Sequence, residues 1–447
     1  MWSDQASPEQ LRKWVAQLHS VLPAPASGAS MKITPLHDPA TREQIAEEFS
    51  GEPGFACVNF TTKSGGVGTY LLRRPLASVS YSNGCAAITG PNGSVELRGL
   101  GFDILQAVLQ AWRGWEGALL AGSLAYDLAG EIEDLGVAPP ADFTFPGLHF
   151  GLYDSALVFE NAAIPPAPPR HAASALLTSR PDRAAFEASV ERIVRTIYAG
   201  DIFQTNLCRR LTAPLQPAAA WPLHQRMRAI SPSRYEAFLR IDDQRAILSV
   251  SPELFLKVAE GVVESAPIKG TRPRSDSAEE DRVLASQLLA SEKDRAELAM
   301  IVDVVRNDLA RVCETGSINV VTHAELMTLP TVHHLFSRVR GKLRADAGPV
   351  ELLRAAFPAA SISGAPKIEA MRIAMREEGQ LRGPCMGAIG WIALDGRMEL
   401  SVAIRTAFVT GGWVRYYAGC GITAGSDPET EFAESSHKAA AFIRALK

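Results

Sequence analysis

The 447-residue sequence predicts a globular protein of mixed α and β structure. From Ile33 to Glu160, short apolar and β-branched runs alternate with Gly and Asn, and the pairs Asn83-Gly84 and Asn92-Gly93 are typical of hairpins. Later in the chain, apolar residues recur at helical spacing, which indicates amphipathic helices between strands. An apolar fraction of 47% with 21% charged residues is typical of a folded globular chain.

Charge and composition argue against two kinds of partner. The net charge is −4 and no basic run contains interleaved aromatic residues, so nucleic acid is not an expected partner. No apolar run of membrane-spanning length and no signal-peptide pattern occur, so no membrane association is expected. The six cysteines form no CxxC pair and no zinc-type spacing, which predicts reduced thiols in a cytoplasmic protein.

Residues 161–180 divide the sequence into two regions. This stretch is rich in Pro and Ala and predicts a linker. We therefore predict an N-terminal region, 1–160, and a second region, 181–447. Residues 23–30 predict a flexible lead before Met31, which is a second candidate for the start of the chain.

Several helices are predicted from apolar spacing and capping residues. Phe102–Trp112 carries apolar residues at helical spacing. After the linker, Pro181 suits the first position of a helix that Gly200 would end. Ser291 and Asp427 are predicted N-caps of two further helices.

The segment Pro267–Arg274 places one lysine in an unusual setting. Pro267 and Pro273 bracket a predicted turn, and Gly270 permits a backbone conformation that other residues avoid. If the turn lies in a closed pocket, Lys269 is a usable amine nucleophile; in an open loop it is a solvated surface group. The eight residues alone favour the surface interpretation.

Two predicted helices carry carboxylates three residues apart, so that each pair shares one helix face. The first pair is Asp294 and Glu297; the second is Glu431 and Glu434, with Lys438 one turn further along. Acidic residues near helix N-termini are also favoured by the helix dipole and need no other role. If the two pairs face each other, however, their oxygens are the ligands that Mg²⁺ prefers.

Eight motifs define a family resemblance. In chain order they are GDIFQTNL, SPELF, PIKGTRPR, KDRAELAMIVDVVRNDLARV, VHHL, SISGAPK, IRT and GSDPETEFAESSHKA. From about Pro181 to the C-terminus, the sequence closely resembles the chorismate-utilising enzymes: anthranilate, isochorismate and salicylate synthases and aminodeoxychorismate synthase component I. The resemblance implies an α+β fold with two large, mostly antiparallel sheets packed together and helices on the outside. It also implies a first region interleaved with the second.

Three catalytic residues follow from the resemblance. Glu253, after the predicted strand Ala246–Val250, corresponds to the general acid, which must be protonated to help a ring hydroxyl leave. Lys269 corresponds to the amine nucleophile. His334 corresponds to a histidine beside the departing hydroxyl, and His333 is predicted to be structural.

The resemblance also implies how the substrate is held. Arg405 is predicted to lie in a strand and to clamp a carboxylate with two hydrogen bonds. Ser363 resembles an N-cap whose helix offers free amides to an anion, and small residues at 418–421 predict a second amide site in a turn. The predicted substrate-binding residues are Gln204, Thr271, Ser361, Ser363, Gly364, Ala365, Cys385, Arg405, Gly419, Cys420, Gly421 and Lys438.

Mg²⁺ is the implied cofactor. Glu297 and Glu434 correspond to direct ligands, and Asp294 and Glu431 to residues that act through water. The ion is expected to hold the ring carboxylate of the substrate and to draw charge from the ring as the leaving group departs.

Two positions distinguish the activities within the family. Gln204 stands where isochorismate and salicylate synthases carry a water-activating lysine, and an amide cannot accept a proton from water. Lys269 stands where the anthranilate, isochorismate and salicylate synthases carry a small residue. The resemblance therefore predicts an aminodeoxychorismate synthase component I, which converts chorismate and ammonia to 4-amino-4-deoxychorismate for p-aminobenzoate and folate synthesis. Ammonia is expected from a separate glutaminase subunit, since the sequence shows no amidotransferase motif.

Two alternatives stay open. One is anthranilate synthase component I. The other is a non-catalytic chorismate-binding regulator, indicated only by Cys385, where relatives carry Tyr or Trp, and by Trp391, where they carry Tyr. Inhibition by tryptophan is not predicted, because FACVNF stands where inhibited relatives carry LLES.

Overall fold

The structure, a computed structural model, describes residues 5–22, 31–160 and 177–447. The predicted lead 23–30 and residues 161–176 of the predicted linker lie outside the described residues. The end of the predicted linker, Thr178–Arg180, is a strand. Within the described ranges, no helix is both long and apolar enough to cross a membrane.

The described helices follow the predicted caps and apolar faces. Ser291 and Asp427 are N-caps, as predicted, and their side chains accept from backbone amides of the first turn. The helix predicted from Pro181 instead begins after the N-cap Asp182. The α-helices are α1 Pro8–Val21, α2 Pro39–Phe49, α3 Gly101–Ala111, α4 Arg183–Ala199, α5 Ala220–Ile230, α6 Ala278–Ala290, α7 Glu292–Ala310, α8 Pro349–Ala356, α9 Lys367–Glu378 and α10 Pro428–Leu446.

The strands before residue 161 confirm both predicted hairpins, whose turns contain Asn83-Gly84 and Asn92-Gly93. These strands are β1 Lys32–Leu36, β2 Ala56–Thr61, β3 Val67–Leu72, β4 Ala77–Ser82, β5 Cys85–Gly90, β6 Gly93–Arg98, β7 Leu119–Leu124, β8 Leu148–Tyr153 and β9 Ser155–Glu160.

The later strands include four of ten or eleven residues, which is longer than the average strand. These strands are β10 Thr178–Arg180, β11 Gln204–Pro214, β12 Tyr235–Arg240, β13 Ala246–Ser251, β14 Leu254–Ala259, β15 Val262–Ala266, β16 Ile268–Pro273, β17 Asn319–Thr328, β18 Val332–Lys342, β19 Gly364–Ala365, β20 Ala388–Ala393, β21 Met398–Val402, β22 Thr406–Thr410 and β23 Trp413–Ile422.

Two large sheets form the body of the protein, as predicted. The first has the order β1-β9-β3-β2-β12-β13-β22-β23-β11-β10, with β19 beside β11. The second has the order β16-β18-β15-β14-β21-β20-β7-β8-β4-β5-β6, with β17 beside β18. Pairing is antiparallel except between β1 and β9. Each sheet contains strands from both sides of residues 161–176.

The main hydrophobic core takes side chains from both sheets, for example Val58 and Ile247 from the first and Leu120 and Ile392 from the second. Two smaller hydrophobic clusters lie between the first sheet and the helices that cover it. One is formed with α5 and α10, and the other with α4 and α9. Helices α6 and α7 pack on β16 and β18 at one end of the second sheet. This packing brings the start of α7 close to both sheets.

Candidate active site

A cleft forms where the two sheets and α7 meet. Lys269 Nζ on β16 lies 3.0 Å from Glu297 Oε1 on α7. The same carboxylate oxygen accepts a hydrogen bond from Gln204 Nε2 at the start of β11. Gly421 on β23 lies against both, since a Cβ there would be 2.2 Å from Gln204 Nε2 and 2.7 Å from Glu297 Oε1. Only glycine leaves room for this arrangement.

Lys269 lies on a strand, so the predicted turn at Pro267–Arg274 is wrong. The strand β16 pairs with β18, and the pairing shifts at Gly270, which forms a bulge with φ +68. A Cβ at Gly270 would lie 3.0 Å from the Asp294 side chain, so the bulge lets α7 approach closely. The Lys269 side chain is 11% exposed and ion-paired, which excludes the interpretation as a solvated surface lysine.

Glu253 is a buried carboxyl group near Lys269. It is 3% exposed, and its Oε1 accepts a long hydrogen bond of 3.4 Å from the Ile268 amide. Burial raises the pKa of Glu253 to about 7, although the Ser361 hydroxyl and the Lys269 charge favour the ionised form. Much of this carboxyl group is therefore protonated near neutral pH. Ser361 is buried, and its hydroxyl lies close enough to Glu253 to affect that pKa.

His334 lies on β18 between β16 and Arg405. Its Nδ1 is 3.1 Å from the Gly270 carbonyl oxygen and 3.0 Å from Thr271 Oγ1, and its Nε2 is 3.1 Å from Arg405 Nη2. Since a carbonyl can only accept and a guanidinium can only donate, we assign the proton to Nδ1. Burial, with the Arg405 charge, lowers the pKa of His334 to about 3, so the ring is neutral.

Arg405 lies between strands β21 and β22 and not within a strand as predicted. Its backbone is left-handed, with φ +49, a conformation that costs free energy for a residue other than glycine. Its guanidinium donates to Ser231 Oγ at 3.3 Å as well as to His334, and it has no carboxylate partner among the described residues. Burial lowers the pKa of this guanidinium. A partly buried cation without a counter-ion is suited to bind a substrate carboxylate.

The second carboxylate pair lies on the first turns of α10. Glu434 Oε1 is 2.7 Å from Lys438 Nζ, which also donates to the Gly419 carbonyl at 3.1 Å. Glu431 is 4% exposed; its Oε1 accepts from Ser426 Oγ at 2.6 Å, and its buried Oε2 has no partner among the described residues. Burial raises the pKa of Glu431, and the charge of Glu434 adds to this effect.

The two carboxylate pairs share one electrostatic environment. Burial alone would raise the pKa values of Glu297 and Glu434, but Lys269 and Lys438 act on both carboxyl groups and the net pKa of each is lowered. Asp294 is turned toward Arg272, with 3.2 Å between Oδ2 and Nη2. Oxygen atoms of Glu431 and Glu434 lie within 4.8 Å of each other, and the buried Glu431 Oε2 has no partner among the described residues. Carboxylate oxygens of this kind are the donors that Mg²⁺ prefers.

Residues 418–421 lie within β23, and not in the predicted turn. This strand pairs with β11 along its whole length but with β22 only as far as Tyr416. Among the described strands, its other edge is therefore unpaired from Tyr417 onward. Backbone groups at Gly419, Cys420 and Gly421 can meet a ligand along this edge.

The SISGAPK segment differs from the prediction. Ser363 is not an N-cap, because its hydroxyl donates to the Ala359 and Ala360 carbonyls and α9 begins at Lys367 with no side-chain cap. Gly364 and Ala365 instead form the short strand β19 beside Gln204 and Thr205. The segment therefore supports the Gln204 end of the cleft.

Lys367 fixes this segment in place. Its Nζ is 2.6 Å from Asp308 Oδ2 on α7 and donates to the Ala356 and Pro358 carbonyls at 2.9 Å each. Lys367 ends the SISGAPK motif, but the sequence predicts no role for it. Nor does the sequence predict Ser231, the Arg405 partner, because no local pattern indicates a contact over 174 positions.

The unusual residues Cys385 and Trp391 have separate settings. Cys385 is buried and its Sγ donates to the Thr406 carbonyl at 3.1 Å, next to Arg405. Trp391 packs edge-on against Tyr70 within the main core, with 6.1 Å between ring centroids. Cys385 therefore contacts the backbone beside Arg405, and Trp391 contributes to the packing between the sheets.

One acidic cleft contains a protonatable carboxyl group, a lysine amine and an arginine without a counter-ion. This combination is typical of an enzyme that acts on a small anionic substrate. A family profile described as chorismate binding enzyme matches residues 101–444. The chain belongs to this chorismate-binding enzyme family, and it is therefore an enzyme of that family.

Relatives of two activities are equally similar to the chain. Aminodeoxychorismate synthase of Streptomyces griseus is 42% identical over 60% of this chain and 37% of its own length. Anthranilate synthase component 1 of Streptomyces coelicolor is also 42% identical, over 60% of this chain and 53% of its own length. The chain thus spans about half, or less, of these relatives. Aminodeoxychorismate synthase component 1 of Klebsiella aerogenes is 34% identical over 73% of this chain and 76% of its own length.

Solved structures of the same fold agree with the family. Anthranilate synthase component I from Streptococcus pneumoniae has a TM-score of 0.75 at 29% identity, covering 84% of this chain and 92% of its own. The menaquinone-specific isochorismate synthase from Escherichia coli has a TM-score of 0.63 at 18% identity, covering 98% of this chain and all of its own, which supports the fold alone.

Proposed function

We propose that the protein is the chorismate-aminating component of an aminodeoxychorismate synthase. It would convert chorismate and ammonia to 4-amino-4-deoxychorismate and water, a product used for p-aminobenzoate and folate synthesis. The observation that carries the proposal is Lys269: an amine lies inside the cleft, 3.0 Å from Glu297 and close enough to Glu253 for its charge to affect that carboxyl group.

The proposed chemistry uses two residues on the reacting atoms. Lys269 adds to ring carbon 2 of chorismate as the hydroxyl on carbon 4 leaves, and Glu253 gives that hydroxyl its proton so that water departs. Lys269 attacks as the neutral amine, after its ammonium proton has gone to solvent. Ammonia then adds at carbon 4 and expels the Lys269 amine from carbon 2, and the surplus proton of the new ammonium group returns to Glu253. A pKa of about 7 suits Glu253 to donate a proton near neutral pH.

Arg405 and His334 are proposed to hold the substrate. The guanidinium, which has no counter-ion, would bind the enolpyruvyl carboxylate. His334 is neutral and accepts from Arg405, so it supports a role in orienting that guanidinium rather than in giving a proton. The unpaired edge of β23 at Gly419 to Gly421 would hold another carboxylate.

Mg²⁺ is the proposed cofactor. Glu297 and Glu434 would hold it directly, with Asp294 and Glu431 acting through water. When bound, the ion would neutralise the ring carboxylate and favour departure of the hydroxyl. Lys269 and Lys438 pair with Glu297 Oε1 and Glu434 Oε1, so the ion would share these carboxylates with two ammonium groups or displace them.

A partner and a compartment follow from the same proposal. The relatives named component 1 support a separate subunit that supplies ammonia from glutamine. All six cysteines are free and five are buried, which supports a reducing compartment such as the cytoplasm. The purified chain should then use ammonium ions but not glutamine, and glutamine-dependent turnover by the chain alone would refute the need for a partner.

Anthranilate synthase component I is the second candidate, because relatives of that name are equally similar. Product analysis separates the two. The purified chain with chorismate, Mg²⁺ and ammonium should form 4-amino-4-deoxychorismate, and Lys269→Ala should lose that product. Lys342→Ala, an exposed lysine at the far end of β18, is the matched control. Anthranilate and pyruvate as products of the unmodified chain would identify the second candidate, and isochorismate would refute both.

A further inference from the structure

One thiol lies beside the second carboxylate pair. Cys420 Sγ and one carboxylate oxygen each from Glu431 and Glu434 lie within 4.8 Å of one another. We propose that Cys420, Glu431 and Glu434 form a binding site for a soft divalent cation such as Zn²⁺, which takes Glu434 away from Mg²⁺. The proposed function gives Glu434 to Mg²⁺ and gives Cys420 only a backbone role, so the thiol ligand is new.

The spacing of the three ligand atoms suits zinc. Zinc binds sulfur at about 2.3 Å and carboxylate oxygen at about 2.0 to 2.2 Å, so its ligands lie roughly 3 to 4 Å apart. Cys420 Sγ already donates to the Glu431 backbone carbonyl at 3.2 Å, which ties β23 to α10 at this point. The three ligand atoms, all within 4.8 Å of one another, are therefore already close to the separation that zinc requires.

The burial of Glu431 also indicates a ligand here. Glu431 is 4% exposed, and Ser426 satisfies only its Oε1; the buried Oε2 has no hydrogen-bond partner among the described residues. A buried carboxylate oxygen in this state is stabilised by a proton or by a cation. The side chain of Glu434 is 49% exposed, which gives a cation a path from solvent.

The chemistry of the donors selects the cation. Thiolate favours Zn²⁺ and Cd²⁺, whereas Mg²⁺ prefers oxygen ligands. On binding, the Cys420 S–H bond breaks, its proton goes to solvent, and an S–Zn bond forms without oxidation or reduction. Lys438 leaves Glu434 and keeps its hydrogen bond to the Gly419 carbonyl. Three protein ligands and one water would complete a tetrahedral site.

Cobalt titration tests the site without relying on turnover. Co²⁺ replaces the spectroscopically silent Zn²⁺, and bound thiolate gives a near-ultraviolet charge-transfer band. We expect this band to saturate at one Co²⁺ per chain, to disappear in Cys420→Ser, and to persist in Cys85→Ser, a more accessible thiol. Absence of the band, or its persistence in Cys420→Ser, overturns the proposal.

A second variant covers the case in which Cys420→Ser does not fold. Glu431→Gln keeps the thiol but removes one charged ligand, so it should keep the band and weaken Co²⁺ affinity by at least about tenfold. Unchanged affinity in Glu431→Gln overturns the site. The exposed Glu429→Gln is the control, and its affinity should match that of the unmodified chain.

The competition with Mg²⁺ rests on the proposed function. The experiments distinguish a failure of the zinc site from a failure of the proposed function. Zn²⁺ should inhibit chorismate turnover, and added Mg²⁺ should relieve this inhibition by competing for Glu434. If the chain forms another product or none, but the cobalt band behaves as expected, the proposed function fails and the site stands. If the predicted product forms and the band is absent, the site fails alone.

Discussion

Glu253→Gln tests the buried acid through protein stability. The pKa of Glu253 is raised from an ordinary 4.5 to about 7 in the folded protein, because burial disfavours its ionised form. The stability that the protonated carboxyl group provides is fully present below pH 4.5 and is lost as the pH rises through 7. A difference of about 2.5 pH units, at about 1.36 kcal/mol per unit, corresponds to about 3 kcal/mol. Glutamine does not ionise, so the variant avoids this loss.

Urea unfolding at pH 4.5 and pH 8.5 measures the effect. The free energy of unfolding of Glu253→Gln, relative to the unmodified chain, should increase by about 3 kcal/mol between the two pH values. Glu96→Gln, an exposed carboxylate on β6, should show no such increase, since solvent surrounds it in both states. A relative stability of Glu253→Gln that is independent of pH refutes the raised pKa and with it the general-acid role.

Four further results are expected. Glu253→Gln should lower kcat by roughly 10² to 10⁴-fold, and kcat/KM of the unmodified chain should fall above pH 7 as Glu253 loses its proton. Glu297→Gln should abolish turnover. In the unmodified chain, Mg²⁺ at a hundredfold excess over its Kd should raise the free energy of unfolding by about 2.7 kcal/mol, and the variant should lose this gain. Full activity of the variant would contradict the metal site. Arg405→Lys should keep the charge but lose the pair of hydrogen bonds to the substrate carboxylate. It should therefore lower kcat/KM about tenfold to hundredfold, mainly by raising KM. An unchanged KM would contradict the role of Arg405 in substrate binding. Gly421→Ala should reduce activity because its Cβ would meet Glu297 Oε1 at 2.7 Å, whereas Gly425→Ala has nothing within 4 Å and should behave like the unmodified chain.

The sequence predicted the helices better than the strands near the cleft. Ser291 and Asp427 are local signals, since a cap acts on amides within its own first turn, and both were identified correctly. The segment around Lys269 predicts a turn, because Pro and Gly are frequent in turns. An edge strand tolerates both, and only the pairing with β18, more than 60 positions away, makes the segment a strand.

The residue types at the site were predictable from motifs, but their pairing was not. The two carboxylate pairs each share a helix face by spacing alone. That Lys269 contacts Glu297, that Arg405 contacts His334, and that Glu431 keeps a free oxygen depend on contacts between distant elements. The left-handed conformation of Arg405 also has no signal in its own residue type, because tertiary packing imposes it.

Peptide mass spectrometry after quenching shows whether Lys269 is the nucleophile. The unmodified chain is mixed with chorismate and Mg²⁺ without ammonium, quenched and digested. The Lys269 peptide should gain the mass of chorismate minus water, and addition of ammonium before the quench should remove this adduct as 4-amino-4-deoxychorismate forms. A nucleophilic role for Lys269 would be contradicted if that product forms while the Lys269 peptide stays unmodified throughout. It would also be contradicted if Lys269→Ala forms the product at a normal rate.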